Sequence, residues 1–188
     1  MANVTTDTET IAKCIASTCY GNSTPGQGSY FNPECRSDNC VFVSLACLLS
    51  TTAPELSRDT GIPQPDNGSG GMSWQDIEAL MNRTKDLGMV QSFAMSDVPF
   101  VYNGLDVDDG GAKKLRQDLV LYRHPPGPDG IRYGHCVVGG KGLRTLDYQH
   151  CDHHTLGRNV DSEVFPNGPY GQHSIEHTIM IKAWFETE

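Results

Sequence analysis

The chain has 188 residues, 37% of them hydrophobic, with 20 glycines and 11 prolines; that is enough chain for one buried core and too loop-rich for a helical bundle. Its 14 basic and 23 acidic residues leave a net charge of −9, which argues against a nucleic-acid partner, because polyanions are held by clustered Lys and Arg. No apolar run approaches the ~18 residues that cross a bilayer, so a membrane is not an expected partner either.

The first ten residues, MANVTTDTET, have no basic stretch followed by an apolar one, so no signal peptide is expected in this chain. The expected location is the cytoplasm, or the cytosol of a target cell into which the protein is delivered as an effector. Seven cysteines, at 14, 19, 35, 40, 47, 136 and 151, are then expected as thiols rather than a disulfide framework. Apolar residues at 11, 12, 15 and 16 predict a helix over 8–19, followed by a turn-rich coil to about residue 32. Asp38 and Asn39 precede CVFVSLACLLS, read as a buried helix with those two residues as N-caps. Residues 57–72 read as a long loop. SWQDIEALMNRTKDLGM is the clearest helix, with Ser73 as cap, Asp76 in capping-box position and Gly88 at its end.

The second half predicts strands over 118–124, 133–140, 142–149 and 177–185, separated by Gly and Pro turns. Helices first and antiparallel sheet second make one α+β domain spanning 1–188.

Cys40 opens the apolar helix. A helix N-terminus carries partial positive charge and free N–H groups, which favour thiolate over thiol and can hold an oxyanion. His135 is its expected partner. It starts a strand that a Gly-rich turn at 139–142 returns antiparallel, and a turn centred on Lys141 sets residue 135 opposite 147. Asp147 then accepts a hydrogen bond from the imidazole, fixing its tautomer and favouring the charged ring. Cys47, two helical turns on, reads as core.

Asn39-Cys40 before an apolar helix, Gly134-His135 at a strand start and Asp147-Tyr148-Gln149 closing the next strand resemble papain-like cysteine peptidases. The likeness is to their minimal form, the papain-fold toxin and glutamine deamidase group. The resemblance covers roughly residues 38–150. It implies a papain-like fold, with N-terminal helices carrying the nucleophile at a helix start and packed on a C-terminal antiparallel sheet. It also implies attack on an amide or ester carbonyl through an acyl-thioester, as a protease, deamidase or acyltransferase. The substrate class is a protein, peptide or small-molecule amide, and no cofactor is called for. Larger papain relatives carry an oxyanion glutamine six residues before the nucleophile, where this chain has Glu34. A carboxylate cannot donate, so the expected donors are backbone N–H groups with the Asn39 side chain, and Gln149 is a further candidate at the oxyanion or substrate. The proline of the Asp-Pro-Gln motif is Tyr148 here.

Two other readings compete. A transglutaminase-like enzyme shares the Cys, His, Asp order, and Gly61-Ile62-Pro63 follows the cysteine helix as in that family, but no strand pattern follows it. A binding domain with Cys40 as plain core is the non-enzymatic alternative. The run CDHH at 151–154 and the Cys-x4-Cys pairs at 14/19 and 35/40 invite a metal reading. Adjacent residues cannot all face one ion, and the cysteine spacing is too wide for a structural zinc, so no metal is expected. The Gly-rich stretches lack a phosphate loop's context and read as turns. The sequence carries no signal for an oligomeric state.

Overall fold

A computed structural model describes residues 30–96, 117–124, 126, 128–130, 133–139, 145–149, 157–167 and 174–182; the helix expected over 8–19 and the CDHH run lie outside them. Within them the chain is α+β.

The apolar run after Asn39 is helix α1, Cys40–Leu48. Val41 through Ala46 are all buried, as a helix apolar on every side must be. Its one hydroxyl in that stretch, Ser44 Oγ, donates to the Cys136 carbonyl at 3.0 Å, which ties the helix to the sheet beneath it.

Helix α2, Ala53–Thr60, occupies the start of what the sequence reads as a loop. The signals for it were present: Thr52 and Glu55 form a reciprocal capping box, Pro54 sits in the first turn, and Gly61 ends the helix at φ 71°. Only Ala53, Leu56 and Thr60 are buried, so its apolar face is too sparse for periodicity to register. The loop proper therefore begins at Gly61. Helix α3, Trp74–Asp86, has the expected Ser73–Asp76 capping box.

The strands are β1 (Ser92–Ser96), β2 (Gln117–Arg123), β3 (Gly134–Gly139), β4 (Thr145–Asp147), β5 (Arg158–Asn159) and β6 (Ile175–Lys182), with a four-residue helix α4 (Asp161–Val164) between β5 and β6. They form one sheet in the order β1-β6-β2-β3-β4-β5, with every pair antiparallel. The strand expected over 142–149 is thus shorter than predicted, and 177–185 starts earlier, at Ile175.

Strand alternation divides the core between the two faces. Leu119, Cys136, Ile179 and Ile181 pack with α1, α2 and α3. Val120, Tyr122, Val137 and Ile175 pack on the other side with Val160, Val164 and Phe165. No single helix among the described residues is long and apolar enough to cross a membrane.

Candidate active site

Three separate elements converge. Cys40 is the first residue of α1, His135 the second residue of β3, and Asp147 the last of β4. The ladder pairs Val138 with Leu146 and Gly139 with Thr145, a register two residues removed from a turn centred on Lys141. Continued, it sets Asp147 against Val137 rather than His135. This corrects the expected pairing. Contact survives because residues two apart share a face, so His135 and Asp147 are diagonal neighbours.

His135 Nε2 lies 2.9 Å from Asp147 Oδ2, with both side chains buried. That bond leaves Nδ1 clear of Asp147, and Cys40 lies near enough to raise the proton affinity of the same ring. Burial alone would lower the affinity of the imidazole for a proton. The hydrogen bonds to Asp147 and Cys40, and their negative charge, outweigh it and push the pKa of His135 up to about 10. The ring is also held from its sides. His124 stacks on it at 5.0 Å and 27°, and Tyr122, its cross-strand partner, meets it edge-on at 5.8 Å.

The other thiols on these elements differ. Burial pushes Cys47 up to about 12, partly offset by a hydrogen bond from Tyr148. Burial likewise raises Cys136, which sits entirely within the sheet core. Cys35, Cys40, Cys47 and Cys136 are all free thiols.

Asn39 stands at the N-cap position, but its side chain makes no capping bond. It is fully buried, and its Nδ2 donates to Asn32 Oδ1 at 2.9 Å and to Gln64 Oε1 at 2.8 Å. Both amide hydrogens are thereby engaged, which leaves none for an oxyanion. Asp38 does not cap the helix either: its carboxylate accepts from the Gly68 N–H across the loop. Among the described residues, no side chain caps the N–H groups at the start of α1.

Gln149 is drawn into the same amide cluster. Its Nε2 donates to the Ser37 carbonyl at 2.6 Å and to Asn39 Oδ1 at 3.1 Å, while its backbone carbonyl accepts from Asn32 Nδ2 at 2.9 Å. Its backbone N–H donates to Asp147 Oδ1 at 2.9 Å. Asn39 and Gln149 thus tie the end of β4 to the segment entering α1. Glu34 forms an ion pair with Arg36 at 2.7 Å.

Sequence reasoning passed over four residues beside His135 and Asp147. Arg158 Nη2 reaches Asp147 Oδ2 at 3.4 Å, and its Nη1 reaches Glu163 Oε1 at 2.7 Å. Glu163 Oε2 accepts from the Tyr122 hydroxyl at 2.8 Å and lies 3.1 Å from His124 Nδ1. Elements of two and four residues, β5 and α4, carry Arg158 and Glu163, and such elements are too short to leave a periodic signal. Among the described residues, no group of three His, Cys, Asp or Glu side chains is placed to hold a metal ion.

In comparisons with known proteins, no family model, curated protein or solved structure matches the chain.

Proposed function

We propose that this chain is a papain-like cysteine enzyme acting on amide or ester carbonyls through an acyl-thioester on Cys40. The buried His135–Asp147 hydrogen bond carries this reading, together with the influence of Cys40 on the same imidazole: the three residues come from a helix start and two strands.

In the reaction, the Cys40 thiolate attacks the carbonyl carbon, forming the C–S bond while the carbonyl π electrons move to oxygen. Uncapped N–H groups at the start of α1 stabilise that oxyanion. His135, as imidazolium, gives its proton to the departing amine or alkoxide, and the C–N or C–O bond breaks. Water or an amine then attacks the thioester, His135 takes the incoming proton, and the C–S bond breaks to restore the thiolate. Asp147 keeps the ring in the tautomer that presents Nδ1 to sulfur.

The test is competitive alkylation by iodoacetamide at pH 6, with sites counted by peptide mass spectrometry. Cys40 should be modified first and stoichiometrically, and His135→Gln should slow it by about tenfold or more, because the thiolate loses its imidazolium partner. Slow, unselective modification of several cysteines would instead make Cys40 an ordinary core thiol.

A further inference from the structure

The His135–Asp147 pair is not insulated on its far side. Oδ2 of Asp147, the atom that receives His135, is also approached by Arg158. Arg158 is in turn drawn away by Glu163, whose other oxygen takes Tyr122 and His124. Among the described residues, the titratable and charged groups facing His135 are therefore Cys40 from α1, Tyr122 and His124 from the β2 segment, and Asp147 from β4, with Arg158 of β5 and Glu163 of α4 behind them.

A cation that shares a carboxylate oxygen with an imidazolium weakens that carboxylate's hold on it, by like-charge repulsion and by competing for the same lone pairs. An anion on the cation's far side moderates the effect. We propose that Arg158 is a positioning residue for the catalytic pair: by sharing Oδ2 of Asp147 it loosens the carboxylate's grip on the His135 imidazolium, and Glu163 sets how far that loosening goes. The catalytic consequence rests on the reading of Cys40 and His135 given above. An imidazolium bound too tightly is a poor acid toward a leaving amine, so the reaction needs this counterweight.

His135 is the reporter. It is observed by NMR of the full-length chain with labelled histidine, assigned through His135→Gln, and titrated in a Cys40→Ser background so that no thiol ionises alongside it. Removing the cation in Arg158→Met should raise its titration midpoint by about half a pH unit or more, the size expected of one partly exposed charge under salt screening. Glu163→Gln leaves the cation uncompensated and should lower the midpoint. Arg158→Lys keeps the charge and should stay near the parent. Opposite signs for the Arg158→Met and Glu163→Gln shifts support the proposal, and a residue that merely braced the fold would not produce them.

A folded Arg158→Met with an unchanged or lowered midpoint overturns it. If that variant does not fold, Glu163→Gln decides alone: a fall supports the proposal, and no change or a rise overturns it. Iodoacetamide selectivity in the wild-type chain reports on the Cys40 reading separately. Selective labelling with no NMR shifts removes only the role of Arg158, whereas NMR shifts with unselective labelling remove only the enzymatic reading.

Discussion

Nε2 of His135 and Oδ2 of Asp147 stand 2.9 Å apart although the two residues do not face each other in the β3–β4 ladder. The bond runs diagonally across the pair of strands and is buried from water, where a charge-assisted hydrogen bond is stronger than at the surface. The carboxylate is itself fixed by the Gln149 N–H on its other oxygen.

Replacing that carboxylate should therefore be costly in rate. In Asp147→Asn the shape remains and the charge is lost, so acylation of Cys40 by p-nitrophenyl acetate should slow by about tenfold to several hundredfold. Asp147→Ala, which also loses the hydrogen bond, should be slower still. Exposed Asp86→Asn should match the parent. Initial burst rates, taken after circular dichroism confirms folding, decide the matter, and a fully active Asp147→Ala would remove the residue from the mechanism.

The same pair predicts a pH dependence of stability. The folded-state pKa of His135 is raised to about 10, above the ordinary histidine value near 6.5. Its stabilisation is therefore fully present below about pH 6.5 and is lost as pH rises through 10. Urea midpoints of the wild type should fall relative to those of His135→Gln across that window. Parallel curves for the two proteins would mean that the imidazole is not held as a cation.

Asn39 should behave as a scaffold residue. Asn39→Asp is nearly isosteric but turns Nδ2 into an acceptor facing Asn32 Oδ1 and Gln64 Oε1. A buried and a half-buried acceptor then confront a third, at an expected cost of about 2–4 kcal/mol, which lowers Tm by roughly 4–16 °C in a chain of this size. Calorimetry measures this directly. An unchanged Tm would show that the amide cluster does not hold β4 against the entry to α1.

Gly157 precedes β5 with φ 72°, and a Cβ there would lie 2.9 Å from the Tyr148 ring and 3.2 Å from Leu146 Cβ. Gly157→Ala combines left-handed strain with that clash, so a loss of about 1–3 kcal/mol is expected. Because Tyr148 adjoins Asp147 and Gln149, Cys40 labelling should slow as well. Gly130→Ala, also at positive φ but in open space, isolates the backbone contribution. Equal denaturation midpoints for the two variants would show that the clash with Tyr148 contributes nothing.

What the sequence determined by itself was whatever local chemistry dictates. In the almost wholly apolar run of eleven residues after Asn39, the small Ser44 and Ala46 and the pair Leu48–Leu49 favoured a buried helix over a strand, and Ser73 with Asp76 marked the start of α3 through a capping box that needs only four residues. The β-rich runs yielded β2, β3 and β6, and Cys40, His135 and Asp147 stood out because their local contexts are a helix start, a strand start and a strand end. Tertiary structure decided what depends on partners far along the chain. The register was one such matter, since one shift of two residues leaves the same side chains on the same face and so is invisible to alternation. The fate of Asn39 was another: nothing local distinguishes a capping amide from one consumed by residues 7 and 25 positions away. Arg158 and Glu163 reached the site on elements of two and four residues, and charges acquire such neighbours only when β5 and α4 fold back against β4 and β2.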